Sequence, residues 1–192
     1  MKIYHLELND TEKLVITYSP KKMKREMEIK PLVRVGPIKL GMPRSLVQNI
    51  FSVTPIPYRK TEWSEHETDA FDDIRLHIFY TERSPTVEYI EIMHENASIF
   101  LLNGLDVFRT KSLSLVSHVC NDYSVIEEDP GYNFIYPAIE LSLWRNYLSE
   151  PDEVDRFDAV GIGIKGYFSD SVSEQIRLVQ GLNFLKELNN EH

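Results

Sequence analysis

The chain has 192 residues, 42% hydrophobic and 11% aromatic, which supports one packed domain or two small halves sharing a core and argues against disorder. A single cysteine, Cys120, excludes an internal disulfide framework and suits a reducing compartment. The net charge of -9 is uneven, with 12 Lys/Arg and 5 Asp/Glu in residues 1–60 against 9 and 25 in residues 61–192, so the body repels nucleic acid and favours a basic partner.

The N-terminus, "MKIYHLELNDTEK", lacks the apolar run and cleavage site of a signal peptide. No apolar run approaches the roughly 20 residues that span a bilayer. A cytoplasmic protein without membrane contact is the expectation. Within residues 1–34, "KIYHLEL" and "KLVITYS" are rich in β-branched and aromatic residues around the turn "NDTE", which predicts a hairpin. The basic run Lys21, Lys22, Lys24 and Arg25 is followed by Glu26 and Glu28, so it reads as a solvated loop rather than a phosphate site.

Residues 35–96 form a first unit. Gly36, Pro37 and Gly41 punctuate an extended stretch, and Pro43 stands where a first helical position belongs. Leu46, Val47, Ile50 and Phe51 then share one face of a short helix. After the acidic connection "RKTEWSEHETDAFDD", Ile74, Leu76, Ile78 and Tyr80 alternate with Arg75, His77 and Phe79, and "VEYIEIM" returns to complete a hairpin.

Residues 97–168 repeat the plan. Asn103-Gly104 marks a turn, and a helix follows with Leu113, Val116 and Val119 on its apolar face. Leu115-Val116 aligns with Leu46-Val47, Val119 with Ile50 and Cys120 with Phe51, which makes Cys120 a small core residue. Another acidic connection leads to "AIELSLW" and, across the loop "EPDEVDRFD", to "AVGIGIKGYF". Residues 169–192 predict a closing helix, with Ser171 and Glu174 as a capping box and Val172, Ile176, Val179, Leu182 and Leu185 as its stripe. The expected fold class is α+β: an antiparallel sheet built from two tandem helix-plus-β-hairpin units, with an N-terminal β-hairpin and a C-terminal helix, all in one domain.

No motif carries chemistry. Gly161, Gly163 and Gly166 fit G-x-G-x-x-G, yet Tyr167 and Phe168 stand where a helix should open, and no room remains for a second strand. Close approach within a sheet explains those glycines better. The loop "EHETD" offers nitrogen and oxygen atoms without a second cluster at zinc spacing. No nucleophile elbow, P-loop or H-E-x-x-H occurs. No catalytic, metal or cofactor-binding residue is therefore expected, and no cofactor.

The remaining candidates are acidic loops interleaved with aromatics, a composition suited to gripping a basic protein. The expected partner-binding residues are Trp63, Glu65, Glu67, Asp69, Trp144, Glu150, Asp152, Glu153 and Asp155.

"VGPIKLGMPRSLV", through Ile38, Gly41, Met42 and Val47, resembles the turn-plus-helix unit of the tandem helix-hairpin proteins typified by the beta-lactamase inhibitory protein and the SmpA/OmlA lipoproteins. The second half departs, with Thr110 and Lys111 where Gly-Met would stand. The resemblance implies paired hairpins forming a sheet whose face binds another protein. In its small acidic style the chain also resembles cytosolic bacterial toxin-immunity proteins. These readings lead to a non-enzymatic protein-binding module of the immunity or inhibitor kind, which occludes a basic partner. The alternative is a small-molecule-binding or enzymatic domain with a pocket between the units, where Tyr58, His77, Glu91 and Tyr136 are the first suspects. Dimerisation through the C-terminal helix is a third reading.

Overall fold

The computed structural model describes residues 3–8, 14–19, 25–59, 62, 66–94, 98–146 and 155–168. The N-terminal hairpin pairs β1 (Ile3–Leu8) with β2 (Leu14–Ser19), from Ile3 opposite Ser19 to Leu8 opposite Leu14. Three strands follow, β3 (Arg25–Lys30), β4 (Arg34–Val35) and β5 (Ile38–Lys39), and then the single turn of α1 (Arg44–Val47). A four-strand meander completes the first unit: β6 (Ile56–Tyr58), β7 (Thr68–Phe71), β8 (Leu76–Tyr80) and β9 (Val87–Met93).

The second unit follows the same plan. It opens with β10 (Ser98–Leu102) and β11 (Leu105–Asp106), joined through Asn103-Gly104, and continues into α2 (Ser112–Cys120). Its meander is β12 (Ile126–Asp129), β13 (Asn133–Tyr136), β14 (Leu141–Trp144) and β15 (Ala159–Gly163). In each meander a 3₁₀ turn separates the second strand from the third, and each turn ends in a left-handed residue, Arg75 or Glu140.

These strands form two larger sheets. One has five strands in the order β11-β10-β3-β4-β5, with β3 and β10 parallel. The other has eight antiparallel strands in the order β12-β13-β14-β15-β9-β8-β7-β6, so the two meanders meet at β15 and β9. Read inward from either edge, the eight-stranded sheet runs through a meander in chain order, which is the mark of a two-fold arrangement of the units.

The expected α+β class of helix-plus-hairpin units does not hold. The chain is mostly β, with only two helices among the described residues, and each meander has four strands where a hairpin was expected. The extra strands had been hidden by their charges. Thr68–Phe71 lay within an apparent acidic loop, although all four residues are buried. Ile126–Asp129 and Asn133–Tyr136 lay within another. Arg25–Lys30 followed a lysine cluster, yet it buries Met27 and Ile29 on one face and leaves Glu26, Glu28 and Lys30 in water. A strand needs only alternate positions to be apolar, so half its residues can be charged. The predicted C-terminal helix lies outside the described residues.

One face of the eight-stranded sheet makes the core. Leu76, Ile78, Ile90, Ile92, Leu141, Leu143, Val160 and Ile162 join Met27, Ile29, Val35 and Ile38 of the small sheet and Val47, Leu115 and Val119 of the helices in a single cluster. The expected helix faces hold in part: Val47 and Val119 are buried in the core and Ile50, Phe51 and Val116 pack against it, whereas Leu46 and Leu113 are 56% and 66% exposed and Leu115 is fully buried instead. The first helical residues, Arg44 and Ser112, are tied to the sheet by polar contacts, and that anchoring sets the rotation of each helix. Cys120, expected in the core, is exposed.

Candidate functional site: the open face of the large sheet

Strand pleating turns the alternate residues of the large sheet away from the core. Register places Ala70, His77, Glu91, Gly161, Ser142 and Ile135 in one row across six strands. A neighbouring row holds Met93, Ala159, Trp144 and Asn133. Glu91, Gly161, Ser142 and Ile135 of the first row, with all of the second, line an open groove of about 960 Å³.

An aromatic ridge bounds the groove. Tyr89 lies across β15 and hydrogen-bonds Ser142 on β14, with 3.4 Å between the hydroxyl oxygens. Tyr167 stacks on Tyr89 at 4.5 Å and 3°, and Phe168 meets both rings edge-on. Burial pushes both phenols up, Tyr167 to about 12 with the Glu88 and Glu91 carboxylates adding to the effect. At neutral pH both rings are therefore neutral hydrogen-bonding groups.

Two local features fix this ridge. A Cβ on Gly161 would stand 1.8 Å from the Tyr89 hydroxyl, and one on Gly163 would stand 2.5 Å from the Tyr167 Cβ. The glycines of "GIGIKG" thus make room for rings, as the strand alternation suggested. Glu140 then ties down the turn that carries Tyr167 and Phe168. Its carboxylate is 2% exposed and accepts the backbone N–H groups of Gly166 and Phe168, both at 2.7 Å. Gly166 sits at φ +97°, where an L side chain would be strained.

Beside the groove, next to its lining residue Glu91, His77 links two polar partners. Its Nδ1 lies 3.1 Å from the Tyr58 hydroxyl and 3.3 Å from Glu91 Oε2. Burial, with Glu91 and Asp72 nearby, raises the Tyr58 phenol above its ordinary range. The structure therefore brings together three of the four residues suspected of lining a ligand pocket. The fourth, Tyr136, is buried on the core face beside Cys120 Sγ at 3.8 Å.

The expected partner-binding residues are dispersed. Trp144 stands in the groove, 41% exposed. Asp69 is fully buried and accepts hydrogen bonds from Arg44, Gln48 and Tyr80, while Glu67 also faces Arg44 at 3.5 Å. Asp155 pairs with Arg145 and accepts the Ser112 hydroxyl. Burial alone would raise its carboxyl, but the bonds from Arg145 and Ser112 outweigh that effect and hold it below the usual range. Trp63, Glu65, Glu150, Asp152 and Glu153 lie outside the described residues.

Asp69 and Asp155 thus serve equivalent structural tasks, joining the start of each helix to its sheet. In the first unit the arginine is on the helix and in the second it follows β14. Among the groove residues that the sequence reading passed over are Tyr89, Ser142, Tyr167, Phe168 and Arg75, and it also passed over Glu140, which holds the ridge turn from outside the groove. Tyr89 carried a usable signal, because it has the opposite strand parity from Ile90 and Ile92 and pairs with a glycine strand.

The architecture and site define a mostly β protein of two tandem helix-plus-meander units with one open, aromatic sheet face. No family model, curated protein or solved structure matches this chain. No helix among the described residues is long and apolar enough to cross a membrane.

Proposed function

We propose that the chain is a cytosolic, non-enzymatic protein-binding module of the immunity or inhibitor kind, and that its groove receives a basic segment of a partner protein. The observation that carries this reading is the sheet face that the described residues leave open, with exposed Trp144 and a ridge of pre-positioned rings in one groove. Rigid aromatics lose little conformational freedom on binding and are the usual anchors of protein interfaces. The lining carries Glu91, Glu128 and Asp158 against one guanidinium, Arg75, so its charge balance favours a cationic partner over nucleic acid.

The test is capture from native extract with tagged wild-type protein and Trp144→Ala. The wild type retains a basic protein at low salt and releases it at high salt, because exposed attraction is screened. Losing the Trp144 ring weakens that complex by about 2 kcal/mol or more, roughly thirtyfold, while the unfolding midpoint stays put. Equal capture by both proteins would contradict the reading.

The convergence of Tyr58, His77 and Glu91 supports a second reading, a small polar ligand held beside the groove at this cluster. A metabolite that raises the melting temperature of wild-type protein but not of His77→Ala would favour it.

A further inference from the structure

Glu91 occupies the centre of the open row, between His77 on β8 and Gly161 on β15. Its side chain is 34% exposed, so the carboxylate is partly desolvated yet reachable from the groove. Among the described residues its only hydrogen-bonding or ionic partner is His77, which approaches Oε2 and leaves Oε1 available. Tyr89 and Tyr167 form a wall of stacked rings along the same groove. Two further lining carboxylates, Glu128 and Asp158, add negative field, and Asp158 already accepts the Asn146 N–H at 2.8 Å.

A half-buried carboxylate with one oxygen available, set in an aromatic groove of net negative charge, suits a planar cation. A guanidinium donates two N–H groups to a carboxylate and also packs its flat face on a ring, whereas an ammonium acts as a point charge. We propose that the Glu91 end of the groove is a subsite for an arginine side chain of the partner. This inference rests on the protein-binding reading and specifies the chemistry the partner must present.

The probe is N-acetyl-arginine N-methylamide, titrated into isotope-labelled full-length protein and followed by amide chemical shifts. The neutral citrulline analogue, of nearly the same shape, serves as control. The subsite predicts saturable shifts in residues 89–93 and 159–168, with the arginine compound favoured over citrulline by about tenfold, the worth of one charged hydrogen bond. Glu91→Gln removes that preference. Asp122→Asn, exposed just after α2 and outside the groove lining, preserves it.

Equal binding of the two compounds would overturn the proposal, and so would an unchanged preference in Glu91→Gln. An equal loss in both variants would overturn it as well, because it would reveal a diffuse field rather than a subsite. The titration needs no partner, so its failure is separable from failure of the protein-binding reading. Partner capture that depends on Trp144 without any Glu91-dependent arginine preference would leave the module standing and remove the subsite.

Discussion

Asp69→Ala lowers the stability of the folded chain by about 3–5 kcal/mol, the cost of leaving a largely buried cation without its partner. Asp69 is fully buried on β7, and its carboxylate takes the Arg44 Nη2 at 2.6 Å, the Gln48 Nε2 at 3.1 Å and the Tyr80 hydroxyl at 2.8 Å. The hydrogen bond from Arg44 to Asp69 raises the Arg44 pKa, and a guanidinium stays charged at neutral pH even when that partner is removed. Burial, reinforced by the Asp69 hydrogen bond, keeps Tyr80 protonated and donating. Alanine would strand the buried Tyr80 hydroxyl and leave Arg44 with only the longer contact to Glu67, at the point where α1 meets the sheet.

Denaturant unfolding measures the loss as a lower midpoint. The double variant Arg44→Met with Asp69→Leu recovers most of it, since a buried pair is often replaceable by apolar side chains of similar size. A midpoint for Asp69→Ala within 1 kcal/mol of wild type would show that this cluster does not hold the helix to the sheet.

Gly161→Ala has the second large effect, and it acts on function as well as stability. The added methyl would lie 1.8 Å from the Tyr89 hydroxyl, 2.4 Å from its ring carbon and 2.7 Å from Ser142 Oγ. Tyr89 is only 8% exposed and stacked under Tyr167, so its ring cannot yield without dismantling the ridge. Overpacking of this kind costs about 1–3 kcal/mol. The near-ultraviolet circular dichroism of the stacked tyrosines should collapse, and partner binding with it. Adding Tyr89→Ala to Gly161→Ala relieves the clash, so the two stability losses sum to more than the double variant shows. Strict additivity would mean that Gly161 is not kept small by Tyr89.

The central strands were legible because a strand with one buried face alternates with period two. Leu76 and Ile78 point to the core, and the same parity puts His77 and Glu91 on the open face; Trp144 opposes Leu141 and Leu143 less cleanly, at a strand end. Alternation therefore found part of the site along with part of the fold. It failed where charge is buried or borne on the wet side of a strand. Asp69 looked like a loop carboxylate because nothing local shows that Arg44, twenty-five residues earlier, neutralises it. That one inversion hid β7 and turned a helix-plus-meander unit into a helix-plus-hairpin.

The first turns of the helices, with Leu46 and Leu113 set on the core face, were misread for a related reason. Arg44 and Ser112 are polar, so a pattern based on apolar residues gave them no inward role, yet both anchor the first turn. Glu140 was equally hidden. Its left-handed backbone and its grip on the Gly166 and Phe168 amides are properties of two turns brought together by the sheet. No short stretch of sequence contains both.

The most direct test of groove binding is site-specific photo-crosslinking in native extract. A benzophenone amino acid replaces Trp144 in one protein and Leu113, 66% exposed on α2 and outside the groove, in another. Binding in the groove predicts one salt-sensitive adduct to a basic protein from position 144 and none from position 113. No adduct from 144, or the same adduct from both positions, would contradict the assignment of this face as the partner site.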